Sequence, residues 1–248
     1  MGREFPVLGI QDHANTCMLQ TLLGHFGIYY AKRQYMPRGI DWLWDLERLL
    51  PAGTVRVVFD VGANEGQTSR AILKTFPGAT VHAFEPVADT FETLRRTLGA
   101  EPRIHLNRAA VSSTNGDVHI VAESQLSHIV PAAAAGAPGV ESVSAVTLDT
   151  YCEQHAIEHI NILKTDTEGH DLDVLKGAGR LLSAGKVDWV FVEVTFDRND
   201  ETHSPFGEIQ SWLEQRGLTV WCVHDHYYNE AGRNLLFCNY LFARRSMA

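Results

Sequence analysis

The ten residues Val57-Val58-Phe59-Asp60-Val61-Gly62-Ala63-Asn64-Glu65-Gly66 constrain the fold more than any other part of this chain. Apolar residues and one acid lead into a turn with two glycines. Ile72, Leu73 and Phe76 then recur on one helical face. Strand, tight turn and helix in that order open a nucleotide-binding α/β domain. Gly62 and Gly66 are expected to give the turn backbone freedom and to let a ligand approach closely. Glu85 stands 23 residues beyond Gly62, after a second strand-like run over residues 79–84. A carboxylate there can accept hydrogen bonds from both hydroxyls of a ribose, which points to an adenosine-type cofactor.

The details of the turn choose among such cofactors. A dinucleotide fold needs G-x-G-x-x-G, because a pyrophosphate must rest on the helix N-terminus. Here the spacing is Gly62-x-Asn64-x-Gly66, headed by Asp60, with no basic residue in the turn. An acidic turn repels a pyrophosphate and suits a ligand carrying an ammonium and a sulfonium, which is S-adenosylmethionine. In parallel α/β sheets the ligand lies beyond the carboxyl ends of the strands. That rule assigns Asp60, Gly62, Asn64 and Gly66 to the methionine part and one ribose edge. Glu85 takes the ribose hydroxyls, Pro86 turns the chain, and Ala109 and Ala110 leave room for adenine. Thr68 either donates to the cofactor carboxylate or caps the first helical turn.

Four motifs now resemble a family. Asp60-Val61-Gly62-Ala63-Asn64-Glu65-Gly66-Gln67-Thr68, Ala83-Phe84-Glu85-Pro86, Val146-Thr147-Leu148-Asp149 and Leu163-Lys164-Thr165-Asp166-Thr167-Glu168-Gly169 occur in this order. They are similar to those of the FkbM-type S-adenosylmethionine-dependent methyltransferases, over about residues 37–194. The resemblance implies methyl transfer, usually to oxygen, on a small natural product or a glycan. N-methylation on the same scaffold and a non-catalytic cofactor-binding subunit are the alternatives.

The rest of the chain fits a doubly wound, Rossmann-like α/β sheet with a late antiparallel strand. Residues 1–53 read as an N-terminal helical extension and 54–248 as the methyltransferase domain. Met18, Leu19, Leu22, Leu23 and Phe26 mark an amphipathic helix over residues 15–29. Asp41 is placed to cap a second helix bearing Trp42, Leu43 and Leu46. Residues 116–146 break the strand–helix alternation. A strand is expected over 117–121, and the alanine run between Pro131 and Pro138 reads as a mobile loop over the active site. The net charge of −9 argues against nucleic acid as a partner. No apolar run approaches a membrane span, no signal peptide is evident, and four scattered cysteines read as reduced thiols. A cytoplasmic enzyme is therefore expected.

Acids at strand ends supply the candidate chemistry. Asp166 and Glu168, two apart, share a face if extended geometry persists, and each would then raise the other's pKa. Asp166 is assigned to the cofactor side and Glu168 to the proton. Glu193 ends the next strand at the same rim. His224 is the other candidate base. His224-Asp225-His226 also has an alternation suited to a metal, with Asp166 or Glu193 as a further ligand, but a solvated polar loop is preferred and no metal is expected. Trp42, Trp44, Tyr227 and Tyr228 are read as core or subunit contacts before acceptor contacts, which leaves a homo-oligomer open.

Overall fold

A computed structural model describes residues 36–121, 128–130, 136–197, 199–200, 202–229 and 234–245. The helix expected over 15–29 lies outside the described residues. The first helix described is α1 (Trp42–Leu49), and Asp41 caps it by accepting from the Trp44 N–H at 3.0 Å. Leu43 and Leu46 are buried with Ile72 and Leu73 in one apolar cluster. The unit therefore begins near Arg38, and the expected boundary at residue 53 falls inside it.

The alternating core follows: β1 (Val57–Val61), α2 (Gln67–Thr75), β2 (Thr80–Phe84), α3 (Ala88–Leu98) and β3 (Ile104–Asn107). After an excursion come β8 (Ile160–Thr165), α5 (Asp171–Gly177), α6 (Gly179–Ser183), β9 (Val187–Thr195), α7 (Phe206–Glu214), β10 (Leu218–Tyr228) and β11 (Leu235–Arg244). The strands form one sheet in the order β10-β11-β9-β8-β1-β2-β3. β3, β2, β1, β8 and β9 are parallel, and β11 runs antiparallel to both β9 and β10. The order reverses between β1 and β8, so their carboxyl ends open a crevice. Both faces of the sheet are covered: Val58 packs into one apolar cluster, and its neighbours Phe59 and Val61 into the other. That two-sided burial is why these strands are apolar runs instead of alternating ones. Among the described residues, no helix is long and apolar enough to cross a membrane.

Two expectations are corrected. The excursion holds β4 (Ala110–Val111), β5 (Gly116–Val121), β6 (His128–Val130), β7 (Val140–Val146) and α4 (Leu148–Gln154). The four strands make a second sheet, β4-β7-β5-β6, which buries Ala110, Ile120, Val143 and Ala145. β6 and β7, which were not expected, flank the span read as a mobile loop; residues 136–139 of that span are turn, and the alanines 132–135 lie outside the described residues. Second, β10 continues through Tyr228, so His224-Asp225-His226 is in the strand and does not follow it. The pairing slips between His224 and Tyr227, and Asp225 takes a positive φ of 45°.

Candidate active site

The crevice beyond β1 and β2 is built on the turn after β1. The N–H groups of Gly62 and Ala63 both donate to the Phe84 carbonyl, at 3.0 and 2.9 Å, tying the turn to β2. Asn64 sits at φ 49°, a left-handed backbone that Asn tolerates. Its N–H donates to Glu85 Oε2 at 3.1 Å, and the Val87 N–H donates to Glu85 Oε1 at 2.9 Å. Glu85 is buried. Burial pushes its pKa up, and the two backbone donors and the Lys164 charge work against that rise. Each carboxylate oxygen keeps acceptor capacity beyond the one backbone bond.

Gly62, Asn64, Glu85 and Pro86 line a single cleft together with Ala109, Ala110, Asp166 and Glu168. The cleft encloses about 780 Å³ counting its open mouth. Three other expected cofactor residues lie outside this lining. The Asp60 carboxylate is fully buried, accepts from Ser69 Oγ at 2.6 Å and pairs with Lys164 Nζ at 3.1 Å. Its charge is therefore matched within the fold, and the turn is not the bare acid the sequence suggested. Gly66, at φ 95°, is required by packing: a Cβ there would sit 2.7 Å from Leu98 Cδ1 and 2.8 Å from Leu94 Cδ1. Thr68 is half-buried and not part of the cleft wall. Gly62 does line the cleft, but what approaches it most closely is the protein, since a Cβ would collide with the Asp166 carbonyl.

Lys164 is the residue that sequence reasoning missed on this side. It is 4% exposed, with Nζ 2.8 Å from the Gly62 carbonyl, 3.1 Å from Asp60 and 3.4 Å from Asp166. Burial disfavours its charge, but Asp60 and Asp166 outweigh burial and hold it above the ordinary lysine range. A lysine near the end of the apolar run Ile160-Asn161-Ile162-Leu163 was the available signal, because a buried cation needs an acid beside it.

A further part of the cleft lining, Asp166, Thr167 and Glu168, comes from the loop after β8. Extended geometry stops at Thr165; Glu168 at φ 50° and Gly169 at φ 88° form a left-handed turn. Asp171 braces that turn, its Oδ1 accepting from Thr165 Oγ1 at 2.7 Å, Thr167 N at 3.2 Å and Thr167 Oγ1 at 3.0 Å. Glu168 is thus free of helix capping. It is brought to Glu193 by the turn and not by strand alternation. Together with His203 these acids present ligand atoms within 4.8 Å of one another. Burial, followed by the charges of Asp166 and Glu193, pushes the Glu168 pKa up to about 7, with His203 pulling the other way.

His203 is the second residue that sequence reasoning missed. It lies in the loop between β9 and α7, 35 residues from Glu168, where no periodicity flags it. The Gly169 turn and this loop pack together: Ser204 Oγ donates to the Gly169 carbonyl at 3.2 Å. His203 Nε2 lies 3.3 Å from Glu193 and Nδ1 lies 2.8 Å from Asp200, while its ring stacks on Phe237 at 4.2 Å. Burial opposes its charge, but Glu193 and Asp200 raise the pKa to about 9, so His203 is an imidazolium at neutral pH.

His224 does not join this group. It is fully buried against Phe191, Asp45 and Cys222 beneath α1, and His226 is exposed. The reason is the longer β10 strand, which turns His224 to the α1 face of the sheet. Trp42 stacks on Phe191 at 4.4 Å and is a core residue, whereas Tyr227 and Tyr228 are exposed.

Residues 60–219 match the methyltransferase FkbM domain. The chain is 34% identical over 144 residues to the hexuronic acid methyltransferase AglP of Haloferax volcanii; that match covers 56% of this chain and 55% of that protein. It is 26% identical over 173 residues to the 2-O-methyltransferase NoeI of Sinorhizobium fredii, covering 63% and 70% respectively. The chain therefore spans about half the length of the first of these relatives. Among solved structures the METTL16 methyltransferase domain aligns with a TM-score of 0.50 at 13% identity, covering 93% of this chain and 79% of that one, a likeness of fold alone. With the matched domain covering well over half of it, the chain belongs to the FkbM-domain methyltransferase family.

Proposed function

We propose that this chain is an S-adenosylmethionine-dependent O-methyltransferase whose acceptor is a hydroxyl of a glycan or small molecule. One observation carries the reading. Glu85, with spare acceptor capacity on both oxygens, and Glu168, an acid with a pKa near 7, line the same cleft. The residues fit the cofactor: Glu85 for the ribose hydroxyls, Asn64 and Gly62 along the chain turn, and Ala109 and Ala110 beside the ring, where larger side chains would fill the space. The names of the two relatives, a hexuronic acid methyltransferase and a 2-O-methyltransferase, support a sugar hydroxyl as the acceptor.

Bound S-adenosylmethionine supplies a methyl group already activated on a sulfonium. The chain's own task is to orient an alcohol, exclude water and receive one proton. An alcohol loses its proton as its oxygen gains the methyl, and Glu168 in its carboxylate form takes that proton. Burial and the charges of Asp166 and Glu193 push Glu168 upward and His203 pulls it back, which leaves its ionisation near neutral pH. Asp166, tied to Lys164, shapes the wall between the two halves.

The test is transfer of labelled methyl from S-adenosylmethionine to a panel of neutral sugars, uronic acids and small phenols, with products identified by mass spectrometry. The expected product is a methyl ether of a sugar. Binding of NAD but not of S-adenosylmethionine would overturn the cofactor assignment, and labelling confined to amines would overturn the acceptor class.

A further inference from the structure

A second cluster of chemically capable side chains lies apart from the cleft, between α1 and β10. Asp45 is 3% exposed and His224 is fully buried. Cys222 lies two residues before His224 on β10, so the two share a face of the strand. The carboxylate, thiol and imidazole offer ligand atoms that all lie within 4.8 Å of one another. Yet, among the described residues, Asp45 Oδ1 and both ring nitrogens of His224 are buried without a hydrogen-bond partner. A native interior rarely leaves three such atoms unmatched in one place, and each such group calls for an explanation.

The surroundings are arranged around that point. The Gly39 N–H donates to Asp45 Oδ2 at 2.8 Å, which fixes the carboxylate and leaves Oδ1 unmatched among the described residues. This resembles the outer hydrogen bond that orients a metal-ligating carboxylate. Gly39 itself, at φ 89°, must be glycine, since a Cβ would stand 2.7 Å from the Val223 carbonyl and 3.6 Å from Cys222 Sγ. The Phe191 ring, with its centroid 5.9 Å from that of His224, closes the apolar side. Thiolate, imidazole and carboxylate together are a borderline donor set, suited to zinc over magnesium or calcium. A carboxylate and a thiolate carry two negative charges, which a divalent ion neutralises in a site too buried to leave them bare. Metal–ligand bonds of about 2.0–2.3 Å in a tetrahedral site put ligands roughly 3.3–3.8 Å apart, so small side-chain rotations complete the set.

We infer that Asp45, Cys222 and His224 bind one zinc-type divalent ion, with water in the fourth position, and that this ion pins α1 to β10. The site stands two strands from Glu193 in the sheet register, about 10 Å by strand spacing, so its role is to hold the wall of the acceptor region and not to touch the reacting atoms.

The full-length chain, purified without an affinity tag that binds metal, is analysed by elemental mass spectrometry, then stripped with chelator and reloaded with cobalt(II). The expected results are close to one zinc-type ion per chain as isolated, and a near-ultraviolet thiolate-to-cobalt charge-transfer band with strong visible bands of tetrahedral cobalt. C222S should lose the charge-transfer band. H224A and D45N should bind cobalt at least tenfold more weakly, the scale seen when such sites lose support. Chelation should lower the melting temperature of the parent chain and leave that of C222S unchanged. A folded parent chain that carries no ion and shows no thiolate band with cobalt overturns the inference and makes a buried water the occupant. A band that survives in C222S overturns the ligand assignment.

Discussion

Replacing Glu168 with Gln should make the protein more stable and much less active, with a pH signature that identifies the cause. The Glu168 carboxyl is raised from 4.5 to about 7 by burial and by the charges of Asp166 and Glu193. At 1.36 kcal/mol per pH unit that rise corresponds to roughly 3 kcal/mol of unfavourable ionisation. The side chain is only half-buried, and water at the rim screens the neighbouring acids, so about 1–2 kcal/mol is the usable figure. The sign follows from proton counting. Between pH 4.5 and 7 the folded chain holds this proton and the unfolded chain has released it, so parent stability falls as pH rises through that window. Gln cannot ionise, so E168Q lacks the loss. The two proteins should melt together near pH 4.5 and separate by roughly 2–8 °C above pH 7, taking 2–4 °C per kcal/mol for a domain of this size. Over the same range parent kcat/KM should rise along a limb near pH 7, and E168Q should have a kcat lower by about 10²–10⁴-fold without that limb. Calorimetric melts at several pH values and initial rates with labelled cofactor provide both readouts. A variant that is less stable at pH 8, or that keeps the parent rate, would refute both the electrostatic account and the role of Glu168 as base.

Three further outcomes follow from the geometry. E85A should weaken S-adenosylmethionine binding by about 1.5–3 kcal/mol in calorimetry, the value of hydrogen bonds to a charged acceptor; undiminished affinity in a folded variant would place the ribose elsewhere. K164M leaves the fully buried Asp60 without its cation and should cost about 3–5 kcal/mol in urea unfolding, and adding D60N should recover part of that loss. His203 gives a pH dependence in a different window from Glu168. Its pKa is raised from 6.5 to about 9 by Glu193 and Asp200, so its stabilisation is complete below pH 6.5 and is lost as pH rises towards 9. H203Q should flatten the stability decline between pH 6.5 and 9, and a decline unchanged in H203Q would assign that titration to another group.

The parts of the fold legible in the sequence were those set by one local pattern. The turn at Gly62–Gly66, the cap at Asp41 and the apolar runs of β1, β2, β8 and β9 each declare themselves within a few residues. That Gly62, Asn64, Glu85 and Pro86 line one cleft was legible for the same reason, since they sit at strand ends that the pattern defines. What escaped notice depends on tertiary pairing. Lys164 looks like an ordinary strand lysine until β1 brings Asp60 beside it. His203 lies in a polar loop and reaches Glu193 only because Ser204 packs on the Gly169 turn. The second sheet was hidden because β4 and β6 are only two and three residues long, and β6 and β7 flank a stretch whose composition suggests a loop. His224 was misplaced by one register decision: ending β10 at Val223 puts it in solvent, while continuing to Tyr228 buries it under α1.

The two halves of the cleft are not independent, because one short segment builds both. Side chains alternate as β8 ends, so Lys164 and Asp166 face the β1 turn while Thr165 faces Asp171. Lys164 holds the Gly62 carbonyl at 2.8 Å, and the Asp166 carbonyl lies where any side chain at Gly62 would have to go. Two residues later the left-handed turn at Glu168 and Gly169 delivers the acid to Glu193 and His203. The five consecutive residues 164–168 therefore set the distance between the β1 turn and the acid proposed to receive the proton. In-line methyl transfer tolerates little error in that distance, since a misplacement of about 1 Å can cost 10²-fold in rate. The buried ion pair of Lys164 and Asp60 joins register partners on β8 and β1, a directional contact that a slipped register would not reproduce.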